Sequence, residues 1–154
     1  MLNYNSVIKN EINQENVSLK EISPVIKINL RGKKREFLTN VGKNLNMILP
    51  TEANTSTTSD KLTAIWLSPD DWMIISNELE SKDTNKSDLY EIFSAGSPFN
   101  FNEFKKKKGS TTQTVLNHID VILHHNDVNI VNLFVRRSFA EHLCSWIEDC
   151  ASRL

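Results

Sequence analysis

The chain has 154 residues, 39% of them hydrophobic and 24% charged, with a formal net charge of -1 at pH 7 from 18 basic and 19 acidic side chains. That length suits one domain with a single core, and so balanced a charge gives no general attraction to nucleic acid or to an anionic membrane. No apolar run is long enough to cross a bilayer, and the polar start Met1-Leu2-Asn3-Tyr4-Asn5 has no signal-peptide core, so a cytoplasmic protein is expected.

Residues 1–23 mix polar and apolar side chains without a period, which predicts a partly ordered arm ahead of a single domain over 24–154. Val25, Ile26, Ile28 and Leu30 predict a first strand ended by Gly32. Phe37, Leu38, Val41 and Leu45 recur at helical spacing and predict a helix from about Lys34 to Asn46, leaving Lys33, Lys34, Arg35 and Lys43 to solvent. Thr51 to Lys61 offers no apolar anchor and reads as a polar loop.

Next comes Trp66-Leu67-Ser68-Pro69-Asp70-Asp71-Trp72-Met73-Ile74-Ile75, two apolar runs joined by four polar turn residues. Pro69 presets the backbone angle of the second turn position and Asp70 suits the third, so a type I turn joins two strands buried on both faces. Asp70 and Asp71 are turn residues in this reading rather than an acid/base pair. Residues 77–87 are polar enough for a linker, and Asp88 to Ser94 predicts a short helix.

The second half holds strands at Thr111 to His118, Val121 to His125 and Asn129 to Val135. Ser138 and Glu141 have the spacing of a capping box at the start of a last helix, whose buried stripe is Phe139, Leu143, Trp146, Ile147 and Cys150. Interleaved strands and helices with short links predict an α+β fold, with helices packed on one face of a mainly antiparallel sheet.

Residues that invite chemistry are sparse. Cys144 and Cys150 lie six apart on one helix, point away from each other and cannot pair. His124 and His125 are neighbours on a strand, so they face opposite ways and cannot share one metal ion; one should meet the core or a partner and the other water. His118 and His142 are likewise isolated from any acidic pair at ligand spacing. Lys105 to Lys108 reads as a solvated turn, and with four glycines in all there is no glycine-rich phosphate loop. Arg136 and Arg137 stand where a helix N-terminus disfavours positive charge; they are either exposed at a strand end or paired with an acidic partner subunit.

Four blocks in this order carry a family resemblance: Leu49-Pro50-Thr51-Glu52, the tryptophan hairpin with Trp66, Pro69, Asp70 and Trp72, Ser97-Pro98-Phe99-Asn100-Phe101 before a threonine-rich strand, and Val135 through Ile147 with Arg136, Arg137, Ser138, Phe139 and Trp146. Together they resemble the gamma subunit of heterotetrameric bacterial sarcosine oxidase. The resemblance implies a ferredoxin-like relative of the folate-binding and aminomethyltransferase domains, with no catalytic, cofactor or metal site of its own. It implies a complex that oxidises sarcosine to glycine, passes the one-carbon unit to tetrahydrofolate and forms hydrogen peroxide. FAD, FMN and NAD are expected in other subunits, and the alpha subunit is the expected direct partner, with beta and delta completing the assembly. Family members place a helix and a strand pair after the hairpin where this chain has only 77–87, which implies either a natural shortened variant or an internal deletion, and with it an incomplete sheet. The alternative is a stand-alone folate-binding protein of the same fold.

Overall fold

The computed structural model describes residues 5–8, 11–15, 17–22, 26–77 and 89–154. The first elements are two short strands, β1 (Ile12–Asn13) and β2 (Ser18–Leu19), paired as a small hairpin. Ile12 and Val17 are buried with residues of the last helix, so this part of the expected arm packs onto the domain. The Glu21 carboxylate accepts the Val7 and Ile8 amides at 2.9 Å each and the Ser6 hydroxyl, tying down the segment before the hairpin.

Strand β3 (Lys27–Arg31) and helix α1 (Arg35–Leu45) form where expected. Asn46, at φ 50, ends the helix in the left-handed conformation, and its amide bonds back to Gly42. The stretch read as a loop contains a strand, β4 (Ser56–Thr58), which pairs with β5 (Leu62–Ser68). Its Ser-Thr-Thr sequence carries no alternating apolar signal because it is a sheet edge whose side chains meet polar neighbours. Strand β6 (Asp71–Ser76) returns beside β5, and the sheet order is β3-β6-β5-β4, antiparallel throughout.

Trp66 and Trp72 face each other across the hairpin, beside a bulge between Trp66 and Ser68. Trp72 is 1% exposed, whereas Trp66 is half-buried. Leu30, Ala64, Trp66, Trp72 and Ile74 lie on the face that packs against Phe37, Leu38, Val41 and Leu45 of α1. Strand alternation therefore turns Ile65 and Ile75, both buried, to the opposite face.

The predicted linker, 77–87, lies outside the described residues except for its first residue. Helix α2 (Leu89–Gly96) follows, then a single turn, α3 (Phe101–Phe104), where Asn100 accepts the Asn102 amide at 3.0 Å as a side-chain cap. This turn carries too short a pattern to read in advance. Strands β7 (Thr111–Leu116), β8 (Ile119–Asp127) and β9 (Ile130–Val135) make a three-stranded meander. Asn117 and His118, at φ 48 and 64, form the two-residue turn between the first two, so His118 is a turn residue.

The last helix is α4 (Arg137–Ala151). The capping box does not form: Arg136 occupies the N-cap with no side-chain bond, and Ser138 already lies inside the first turn. The stripe is also rotated from its expected position. Leu143, Ile147 and Ala151 are buried with Trp146, Cys144 and Cys150 packed beside them, while Phe139 is 44% exposed. At about 100° per residue, Ala140 rather than Phe139 follows the line through Leu143 and Ile147.

Helices α2 and α4 cover one face of the meander, where Val121 and Leu123 are buried; α1 covers one face of the other sheet. The uncovered faces meet each other. Ser56 reaches His124, the Gln113 amide donates to the Leu67 carbonyl at 2.6 Å, and a bridge joins Thr55 to Ser110. The fold is thus α+β, with the four-stranded and the three-stranded antiparallel sheets each covered by helix on one face.

Gly96 sits where α2 approaches α4. A Cβ there would lie 2.7 Å from Trp146 Cζ2. Alanine ordinarily favours a helix over glycine, but here the clash decides the sign, and Gly96→Ala is expected to cost about 1–3 kcal/mol. A urea midpoint equal to that of the parent would show that Trp146 moves aside freely.

Candidate partner interface

The outer edge of β3 has no neighbouring strand among the described residues. The Ser76 amide donates to the Ile26 carbonyl at 3.3 Å and the Gly32 amide to the Asp70 carbonyl at 2.9 Å. Even-numbered residues therefore turn their amides and carbonyls inward to β6, and Lys27, Asn29 and Arg31 turn theirs outward. Ile26 is 72% exposed and Ile28 is 48% exposed along the same edge. Periodicity predicted this strand correctly but could not show that two of its apolar residues stay in water.

Between the two sheets, beside that edge, is an open cleft of about 760 Å³ lined by Lys27, Met73, Asp120, Ile122, Phe134 and Arg136. The Lys27 ammonium stands 5.9 Å from the centre of the Phe134 ring, a cation–π arrangement. Neither Lys27 nor Arg136 has a carboxylate within ion-pair distance among the described residues. Arg137 is different, because its guanidinium donates to the Asn5 carbonyl at 2.8 Å. The two arginines thus separate, one at the cleft and one on the N-terminal segment. Lys27 and Phe134 were invisible as site residues in the sequence, since only sheet stacking brings them together.

The tryptophan hairpin is structural. The Trp72 indole N–H donates to the Pro50 carbonyl at 2.7 Å, tying the hairpin to the chain after α1. Pro69 is exposed at the turn, as its role there requires. The Ser68 hydroxyl donates to Asp70 Oδ1 at 3.1 Å, and Lys33 lies 3.5 Å from the same carboxylate. Burial works to raise the Asp70 carboxyl, but the Ser68 bond and the Lys33 charge outweigh it and hold it below its usual value. Asp71 lies 3.8 Å from Arg31 across the strands. Both aspartates thus serve the turn and its basic neighbours, with no arrangement of a paired acid and base.

His124 and His125 do face opposite ways, yet both are buried, at 2% and 4% exposure, so the expectation that one meets water is corrected. His125 lies against Phe104 and Tyr90 on the helix side, with Nδ1 3.0 Å from the Lys107 carbonyl. Burial pushes the Tyr90 hydroxyl up to about 12. His124 lies between the sheets, where Nε2 is 3.0 Å from Ser56 Oγ and Nδ1 is 3.4 Å from Asn132 Nδ2.

Serine, histidine and asparagine in this order resemble a nucleophile, its base and an orienting group, but the protons run the wrong way. With the Ser56 hydroxyl donating to the Gly109 carbonyl at 2.8 Å, the tautomer that satisfies every group has Nε2–H donating to Ser56 and Nδ1 accepting from Asn132. The histidine has no free lone pair with which to take the serine proton. Among the described residues, no three His, Cys, Asp or Glu side chains gather as metal ligands, and both cysteines are free thiols. Lys108 pairs with Asp127 at 2.6 Å and Lys106 with Glu103 at 2.7 Å, so the lysine run forms a turn whose charges are partly paired.

No protein-family profile matches the chain. No curated protein matches it either. Among solved structures, the chain is similar to a chain of the heterotetrameric sarcosine oxidase from Corynebacterium sp. U-96, with a TM-score of 0.79 and 16% identity. The match covers 93% of this chain and 88% of the other. At that identity the likeness establishes the fold. The segment after the hairpin, where the shortening is expected, falls mainly on residues outside those described.

Proposed function

We propose that the chain is a non-catalytic, gamma-type subunit of a heterotetrameric sarcosine oxidase, docking on the alpha subunit. The observation that carries this reading is the shared fold over nearly the whole of both chains. Its support in sequence is the order of the four blocks from Leu49 to Ile147. The proton arrangement at Ser56 and His124 favours a structural role for the most enzyme-like constellation in the chain. In such a complex FAD, FMN and NAD are held by other subunits, and this chain contributes surface rather than chemistry to the oxidation of sarcosine and the transfer of its one-carbon unit to tetrahydrofolate.

Co-expression with alpha, beta and delta subunits of a sarcosine oxidase, followed by purification through a tag on this chain, tests the proposal. The expected result is an equimolar complex with the alpha subunit that survives gel filtration and carries the flavin absorbance of its partners. Failure to retain the alpha subunit overturns it. Binding of tetrahydrofolate to this chain alone in calorimetry would instead favour a stand-alone folate protein.

A further inference from the structure

The edge of β3, unpaired among the described residues, carries cations, and the cleft beside it holds two cations, Lys27 and Arg136, against the single carboxylate of Asp120. Three outward N–H and three outward C=O groups, from Lys27, Asn29 and Arg31, form a ready template for another strand. The side chains of these residues are exposed on one face of the sheet, and the cations at Lys27 and Arg31 stand four residues apart; Arg31 keeps a long 3.8 Å contact with Asp71 but leaves 74% of its side chain open to a further carboxylate. Arg136 adds a third cation at the cleft that Lys27 lines. Ile26 and Ile28 supply exposed apolar contact on the opposite face.

This pattern discriminates between occupants. A second copy pairing antiparallel through the same edge, centred on Asn29, would set Lys27 opposite Arg31 twice, and directly opposed like charges destabilise a strand pair. Lysine and arginine on an edge are a known defence against such self-pairing. A strand with carboxylates four residues apart and apolar residues between them meets each feature with its complement. Acidic residues fall opposite Lys27 and Arg31, and apolar residues fall opposite Ile28 and Leu30. We infer that β3 accepts an extended, acidic segment of a partner chain as a fifth strand, with Lys27, Arg31 and Arg136 reading its carboxylates. This deepens the proposed subunit role by naming the surface and the chemistry of the segment that would occupy it.

The test uses the full chain and a labelled peptide with the core Glu-Val-Thr-Val-Glu, beside a control in which lysine replaces both glutamates. Fluorescence polarisation should show binding of the acidic peptide at least tenfold tighter than the control, and hydrogen exchange should slow at Lys27, Asn29 and Arg31. Asn29→Pro removes an outward N–H that β6 does not use, so it should spare the melting temperature and weaken peptide binding at least tenfold. Lys27→Glu with Arg136→Glu should reverse the preference between the two peptides. Equal binding of both peptides, exchange unchanged along β3, or an Asn29→Pro protein that binds normally would each overturn the inference. In the co-purification assay, an alpha complex indifferent to Asn29→Pro overturns this surface and leaves the subunit proposal standing. Peptide binding without retention of the alpha subunit does the reverse.

Discussion

Trp72→Ala is expected to lower stability by roughly 3–5 kcal/mol, a large share of the margin of an ordinary domain. Two losses add. The indole is 1% exposed on the hairpin face that α1 covers, so its removal opens a cavity in the cluster that holds Phe37, Ala64 and Ile74. The Pro50 carbonyl, bonded to the indole N–H at 2.7 Å, also loses its partner. Trp72→Phe keeps most of the apolar volume and breaks only the bond, so its cost should be about 1–3 kcal/mol. Urea unfolding of both variants separates the two contributions. An unchanged midpoint for Trp72→Ala would show that the hairpin is peripheral to the fold.

Acid should weaken the contact between the sheets through His124. Burial, and then the neighbouring His125, lowers the His124 imidazole from its ordinary 6.5 to about 4. The unfolded chain then takes up this proton first. Stability due to the neutral imidazole is fully present above pH 6.5, declines as the pH falls through that window and is gone below about 4. Over the window the contribution is about 3 kcal/mol. The geometry gives the reason, since protonation at Nδ1 places a hydrogen against the Asn132 amide and a charge in a buried gap. His124→Asn should be less stable at pH 7 and should lose the part of the acid dependence that the parent owes to this group. Parallel stability curves for parent and variant from pH 7 to 4 would contradict the assignment.

Those two residues mark how far the sequence could be read. Trp72 was legible because its environment is local: apolar runs on both sides of a proline turn predict a buried pair. The helices α1 and α4 were legible for the same reason, through apolar residues three and four apart. The start of α4 and the exposure of Phe139 were not, because Ser138 and Glu141 offer a cap that the chain passes by, and the turn of the stripe depends on what α4 packs against. Strand β4 went unseen since its Ser-Thr-Thr face is polar, satisfied by residues far along the chain such as His124 and Gly109. The interface was half legible. Arg136 and Arg137 stood out as misplaced cations, but only the folded chain separates their neighbours and brings Lys27 beside Phe134.

The strand order also sets a sequence of events for folding. Strands β7, β8 and β9 meet their neighbours across turns of a few residues, and β5 meets β6 the same way, so these contacts close small loops. Strand β3 must wait for β6, with α1, β4 and β5 intervening, and long loops are slow to close. The strand with the free edge is thus the late arrival in its sheet, and until it docks the far side of β6 is open to any extended chain nearby.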